Sequence, residues 1–318
     1  MSIYENFQPI DLEKIKTYEL RQRPSKVTTA DFASPVAADD SLKDFFRKLP
    51  NILAVKTLRE IAAQIRRARD LGKPVVWGIG GHVVKTGLAP VIIDLMNRGF
   101  VSAIAANGSV LVHDTELAMV GFTSEDVDAT LRDGDFGAAR ETGEILNEAA
   151  KRAQADGIGL GEAMGREVSE KDPANADVSL LCATYKNKIP VTIHLTIGAD
   201  IGHFHASCDG AALGAASHTD FRLLCSIVKE LNGGGVYLNI GSAVVLPEIF
   251  LKAVTVAKNL GFPLEDFTTA NFDFIQHYRP STNVVRRPTE GGAGRGYSIT
   301  GHHEIMIPLL AAQILAEG

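Results

Sequence analysis

"PVVWGIGGHVVKTGLAP" (residues 74–90) passes from an apolar, β-rich segment through four glycines and a histidine into a helical pattern. The run "VVWGI" is apolar without interruption, which is the pattern of a strand covered on both faces. Gly72 and Pro74 stop the helix before it. A buried strand that ends in glycines and feeds a helix is the opening unit of an α/β fold, so the rest of the chain is read outward from it.

The cycle repeats in both directions. "SLKDFFRKL" and "LREIAAQIRRARDLG" read as helices before the strand. After it come a helix around 84–98 ended by Gly99, strand "FVSAIAAN", a helix around 138–156 ended by Gly157, and strand "PVTIHLT". Helix 219–231 closed by "NGGG", strand "VYLNI" and helix 247–260, with Pro247 in its first turn, follow. The strand-like "FTTANF" and a last helix, "HEIMIPLLAAQILAE", complete the series. At least five apolar strands alternating with helices predict a doubly wound, mostly parallel, Rossmann-like sheet. Residues 1–40, broken by Pro9, Pro24 and Pro35, read as an irregular N-terminal arm that wraps a neighbouring subunit; residues 41–318 form one α/β domain. The Gly-rich, charged stretch 156–177 reads as a crossover insertion.

The 318 residues, 45% of them hydrophobic, suffice for a large core. A net charge of −6 with no basic block beyond the pairs in "QIRRARD" and "VVRRP" excludes nucleic acid as the expected partner and leaves small molecules. The first residues lack a signal-peptide layout and no run reaches the length of a membrane span, so a cytoplasmic location is expected. Cys182, Cys208 and Cys225 form no CxxC pair, consistent with a reducing compartment.

Ligands of such sheets bind beyond the carboxyl ends of the strands. Four predicted strand ends carry suitable residues: "GIGGH" (78–82), "AANGS" (105–109), "NIGSA" (239–243) and "TTANF" (268–272). The G-x-G-x-x-G fingerprint fails at Val83, and Asn107 stands where an acid would end the second strand. Nine histidines include His203 and His205 with Cys208 and Asp209, His218 with Asp220, His113 with Asp114 and Glu116, and His302 and His303 with Glu304. His203 and His205 follow a strand end and are acid–base candidates. Their spacing matches no standard zinc module, so no metal site is expected. "VVRRPTEGGAGRGYS" (284–298) reads either as a mobile loop gripping an anion through its arginines or as a solvated loop.

Taken in order from residue 74 to the C-terminus, these segments resemble deoxyhypusine synthase. "FVSAIAANGSV" is similar to that family's strand ending in Thr-Thr-Ala-Gly-Gly, and "KNKIPVTIHLTIGADIG" to its Lys-Asn-x-Ile-Pro-Val strand with the following Leu-Thr-Asp-Gly-Ser turn. "VYLNIGSAVV", "TTANFDF", "YRP" and "HHEIMIPLLAAQILA" resemble its later strands and last helix. The resemblance implies NAD as cofactor, a homotetramer, and aminobutyl transfer from spermidine through a lysine imine. It places cofactor contacts on Gly81, His82, Lys85, Asn107, Gly108, Gly241, Ser242, Thr269 and Ala270, and retains an aspartate as Asp273. The family's catalytic lysine is missing: "YRPSTNVVRRPTEGG" contains none, and arginine forms no imine. Pro247, Ile197 and His302 replace a histidine and two aspartates of the family, with Asp200 near enough to substitute in part. The cleft is therefore expected to be rich in histidine and arginine and unsuited to a polycation. The residues leave three readings open. One is a divergent enzyme working on a small substrate with His203, His205, Asp273 and His302 as acid–base groups, a metal hydrolase being a variant of it. The others are an aminobutyl transferase and a non-catalytic nucleotide- or metal-binding protein.

Overall fold

The computed structural model describes residues 6–316. Six strands, β1 (Val75–Ile79), β2 (Ala103–Asn107), β3 (Val191–His194), β4 (Gly235–Ile240), β5 (Phe267–Asp273) and β6 (Arg295–Thr300), form one sheet in the order β3-β2-β1-β4-β5-β6. Every pairing is parallel, so the fold is the α/β, Rossmann-like one. Helices α1 (Leu42–Lys48) and α2 (Leu53–Asp70) precede β1, and α3 (Gly81–Lys85) and α4 (Ala89–Asn97) join it to β2. Between β2 and β3 run α5 (Gly108–Val120), α6 (Val127–Thr130), α7 (Arg140–Asp156), α8 (Leu160–Glu170) and α9 (Leu180–Asn187). Finally α10 (Gly210–Val228), α11 (Val245–Asn259) and α12 (His303–Ala316) follow β3, β4 and β6.

Continuous apolar runs make strands here because both faces are covered. Trp77, Ile79, Ile104 and Leu238 enter a core built with α2, α4, α5 and α12. Val76, Ala105 and Tyr237, one position away, enter a second core with α10 and α11. Trp77 is wholly buried and its indole N–H donates to the Phe100 carbonyl at 3.1 Å. Burying side chains of this size contributes about 3 kcal/mol each.

Three expectations change. The helix around 84–98 is two helices, because Gly87 adopts φ +82° after α3 and the chain restarts with Pro90 near the start of α4. The insertion at 156–177 contains α8, and "GSVLVHDTELAMV", not foreseen as a helix, is α5. The loop 284–298 becomes a π-helical turn (Pro280–Arg286), a short 3-10 turn and β6. Only Ile299 of β6 is buried, so this edge strand lacks the apolar run that marks the others. Residues 6–40 hold two 3-10 turns and otherwise irregular backbone, with Phe7, Ile10, Tyr18 and Leu20 exposed.

Candidate active site

In this strand order the chain turns back between β1 and β4, and the crevice beyond their carboxyl ends is where such sheets hold ligands. Gly80 N–H donates to Ile240 O at 2.9 Å, and Gly241 N–H donates to Phe272 O at 3.1 Å, closing the crevice floor with main chain. A Cβ at Gly80 would overlap the Gly241 carbonyl, so this approach needs glycine. Gly241 itself has φ +67° and lies against the His303 imidazole.

Four aromatic or imidazole rings meet above this floor. His82 lies 5.6 Å from His303 and 6.3 Å from Phe274, centroid to centroid, and Phe274 stacks on His302 at 6.0 Å. His303 Nε2 is 3.2 Å from the Phe272 carbonyl, which can only accept, so this nitrogen carries the proton and buried Nδ1 has no protein partner. The Asp273 carboxylate is 4.0 Å from the same Nε2. Burial, then His303 and Lys85, pull the His82 pKa below its ordinary value.

Behind this flank runs a chain of carboxamides, two buried and the third half-buried. Asn239 donates to Asn271 Oδ1 (2.7 Å) and to Ser242 O (2.9 Å); Asn271 donates to Gln276 Oε1 (2.8 Å), and Gln276 to Ile299 O (3.0 Å). Ser242 Oγ accepts from Leu246 N–H in the first turn of α11.

The flank beyond β2 and β3 is different. Asn107 ends β2 with a buried, unpartnered Oδ1, and the Asp200 carboxylate presses on Gly108 at the start of α5. Burial raises the Asp200 pKa. Ser109, His113, Glu116, Ser124, Glu125 and Asp200 line a cavity of about 170 Å³. The end of β3 is held from behind: Asp220 accepts from Ile193 N–H at 2.8 Å and from Gly161 N–H at 2.9 Å. Burial pushes its carboxyl up to about 7, and pushes His194 down to about 4. Asp114 is a second buried joint, accepting from Ser179 Oγ and from the N–H groups of Leu180 and Leu181.

The sequence-derived residues are therefore split. Gly81, His82, Gly241, Ser242, Asp273 and His302 gather at the β1/β4 crevice, with Lys85 exposed on α3; Asn107 and Gly108 stand at the β2 end. Thr269 and Ala270 are wholly buried inside β5, paired with Tyr237 and Leu238 and short of the strand's carboxyl end. His203 Nδ1 accepts from Gly198 N–H at 3.1 Å within the loop after β3. His205 lies farther out, its Nε2 3.0 Å from Gly137 O and its ring stacked on Phe204. Among the described residues no three of His, Cys, Asp and Glu come together as metal ligands.

The arginine-rich expectation is met only in part. Arg295 pairs with Thr268 at the amino ends of β6 and β5, the opposite side of the sheet from the cleft. Arg279 meets Glu248 (3.3 Å), Arg286 meets Glu290 (3.3 Å), and Arg287 donates to Asn283 Oδ1 (2.8 Å). The rim at the carboxyl ends also carries acids, Asp200, Glu116, Glu125 and Asp273, while Arg279 stands there against Glu248 in the first turn of α11. Sequence reasoning also missed His303 and the carboxamide chain. The only signal for the latter was asparagine inside two apolar strands.

No protein-family model matches the chain. An ornithine cyclodeaminase from Methanothermobacter thermautotrophicus is 35% identical over 74 residues, 23% of this chain and 18% of that protein. Among solved structures, AgrE in ternary complex with ornithine and NAD+ superposes with TM-score 0.52 at 18% identity, over 81% of this chain and 32% of AgrE. A LOR/SDH-type protein from Methanococcus maripaludis S2 gives TM-score 0.52 at 13% identity, over 83% of this chain and 70% of that one. The chain thus spans less than a fifth of the cyclodeaminase and about a third of AgrE. A deoxyhypusine synthase-like protein from Entamoeba histolytica gives TM-score 0.49 at 10% identity over 86% of this chain, which does not set that family apart. The two likenesses at TM-score 0.52 support the fold alone.

Proposed function

We propose that this chain is an enzyme that binds a nicotinamide dinucleotide across the β1/β4 crevice and acts on a small amine. The observation that carries the reading is the strand order, which opens one crevice at the β1/β4 reversal and surrounds it with His82, His303, Asp273 and Phe274. The crevice fits the cofactor in its unspent polar atoms. Buried Asn107 Oδ1 and His303 Nδ1 have no protein partner, and such atoms cost free energy unless a ligand or water meets them. Gly81, His82, Gly241 and Ser242 would hold the dinucleotide, and Phe274 offers a flat face. A bound nicotinamide supplies a two-electron hydride acceptor. The chain's own contribution is to orient the substrate, keep water from the buried imidazole of His303, and place proton acceptors beside it.

The acidic lining by Asp200, Glu116 and Glu125 favours a substrate with an ammonium group. The ornithine and NAD+ carried by AgrE, and the short cyclodeaminase match, support the same chemistry. The likeness to deoxyhypusine synthase is kept here for fold and cofactor, without aminobutyl transfer, because the lysine is missing. The exposed apolar side chains of residues 6–40 support a homo-oligomer in which this arm covers a neighbour.

Calorimetric titration with NAD+ tests the reading: binding heat is expected, and silence at millimolar cofactor would refute it. Incubation with NAD+ and spermidine is expected to release no diaminopropane. Light scattering in solution reads the oligomeric state.

A further inference from the structure

The cavity beside Gly108 contains a histidine that neither the cofactor reading nor the family likeness uses. His113 Nδ1 is 2.8 Å from Thr123 Oγ1, and Thr123 Oγ1 is 2.5 Å from Glu116 Oε2. Thr142 Oγ1 donates to the other oxygen, Glu116 Oε1, at 3.0 Å. Proton counting fixes the rest. Glu116 accepts from both hydroxyls, so the single Thr123 proton points at Glu116. Thr123 Oγ1 can then only accept from His113, which makes Nδ1 the protonated nitrogen and leaves the Nε2 lone pair bare. Nε2 has no protein partner among the described residues, and the adjacent Cδ2 faces Gly81, at the edge of the β1/β4 crevice.

We propose that His113 is a catalytic base of this cleft, held as its Nδ1–H tautomer by Thr123 and Glu116 acting as positioning residues. The proposal rests on the amine-enzyme reading for its substrate, and on the proton count for its tautomer. In the step, an N–H bond of the substrate amine breaks, its electron pair stays on nitrogen, and the proton forms a new bond to Nε2. The imidazolium keeps its Nδ1 proton on Thr123, and its charge is met by Glu116 through that hydroxyl. The groups facing His113 are Glu116, which favours its protonation, Lys85 and His82, which oppose it, and Asp200 and Glu125 across the cavity. Burial outweighs them and keeps the imidazole neutral at neutral pH.

Nitrogen-15 NMR of the imidazoles in the full chain reads the tautomer directly, with or without dinucleotide. The expected result is Nδ1–H for His113 in the wild type, loss of that preference in Thr123→Val, and its return in Thr123→Ser. An Nε2–H wild type, or a Thr123→Val variant with an unchanged tautomer, overturns the relay. With NAD+ and a panel of diamines including ornithine as probes, His113→Gln is expected to lose at least about 100-fold in NADH formation while NAD+ affinity stays within about twofold. NADH formation undiminished in His113→Gln overturns the base. Failure of wild-type chain to bind NAD+ refutes the cofactor reading alone, since the NMR result does not depend on it.

Discussion

The two flanks of the cleft are supported by different chemistry. On the β4–β5 side the strand ends are tied by neutral carboxamides, Asn239, Asn271 and Gln276, each hydrogen-bonded to the next element. On the β3 side the same work falls to titratable groups: Asp220 holds the Ile193 and Gly161 N–H groups, and buried His194 closes the strand. The carboxamide ties of the β4–β5 flank are thus indifferent to pH, and the ties of the β3 flank are not. The difference also follows function, since the fixed flank carries the proposed cofactor contacts and the titratable flank adjoins the acidic cavity.

The largest test of this contrast uses pH. His194 has its pKa lowered in the fold, to about 4, so the unfolded chain binds more protons between there and about 6.5. Its contribution to stability is complete above that window and lost as pH falls through it. Asp220 has its pKa raised to about 7, so the folded chain binds more protons between about 4 and 7; stability is lost as pH rises. The two slopes oppose each other in the wild type. Relative to wild type, denaturant unfolding of His194→Asn should lose about 3 kcal/mol between pH 4.5 and 7, and Asp220→Asn should gain about 3 kcal/mol over the same interval. Parallel profiles in all three proteins would break the comparison.

Gly80→Ala comes next. Its Cβ would meet the Gly241 carbonyl, a backbone atom, so the crevice must widen, at a cost of about 2 kcal/mol. Chemical denaturation and NAD+ titration should both register it. Asn271→Ala removes one carboxamide of the chain and leaves Asn239 and Gln276 each short of a partner, costing about 1.5 kcal/mol with no dependence on pH between 4.5 and 7. A pH-dependent loss would show that this flank too is titratable. Smallest is Arg287→Ala, expected to change stability by less than about 0.5 kcal/mol, because its guanidinium makes a single hydrogen bond, to Asn283 Oδ1.

What could be read from the sequence follows from where apolar side chains are obligatory. β1, β2, β4 and β5 are buried along almost their whole length, so their composition announces them. β6 is an edge strand with one buried residue, and its Arg295, Gly296 and Ser298 say loop. Missing that strand also misplaced Arg295, because only its parallel pairing with β5 shows that this residue lies at the amino ends. The helix α5 buries Asp114 and Thr115 along with Val110 and Leu111, so no apolar stripe separates from a polar face. The first crevice turn was legible through its glycines and His82. The His113 relay was not: His113 and Glu116 share a helix face three residues apart, but Thr123 and Thr142 arrive from a loop and from α7.

Asp200 has a further consequence. Its carboxylate rests on Gly108 at the opening turn of α5, a place where helix N–H groups attract negative charge. Its carboxylate accepts from Thr196 N–H at 3.4 Å within its own loop, which tethers the negative charge beside this turn. Dissolved phosphate therefore competes poorly for this turn at neutral pH. Acid changes the balance, because burial already draws the Asp200 carboxyl toward protonation, and a proton releases the turn to whatever anion is nearby.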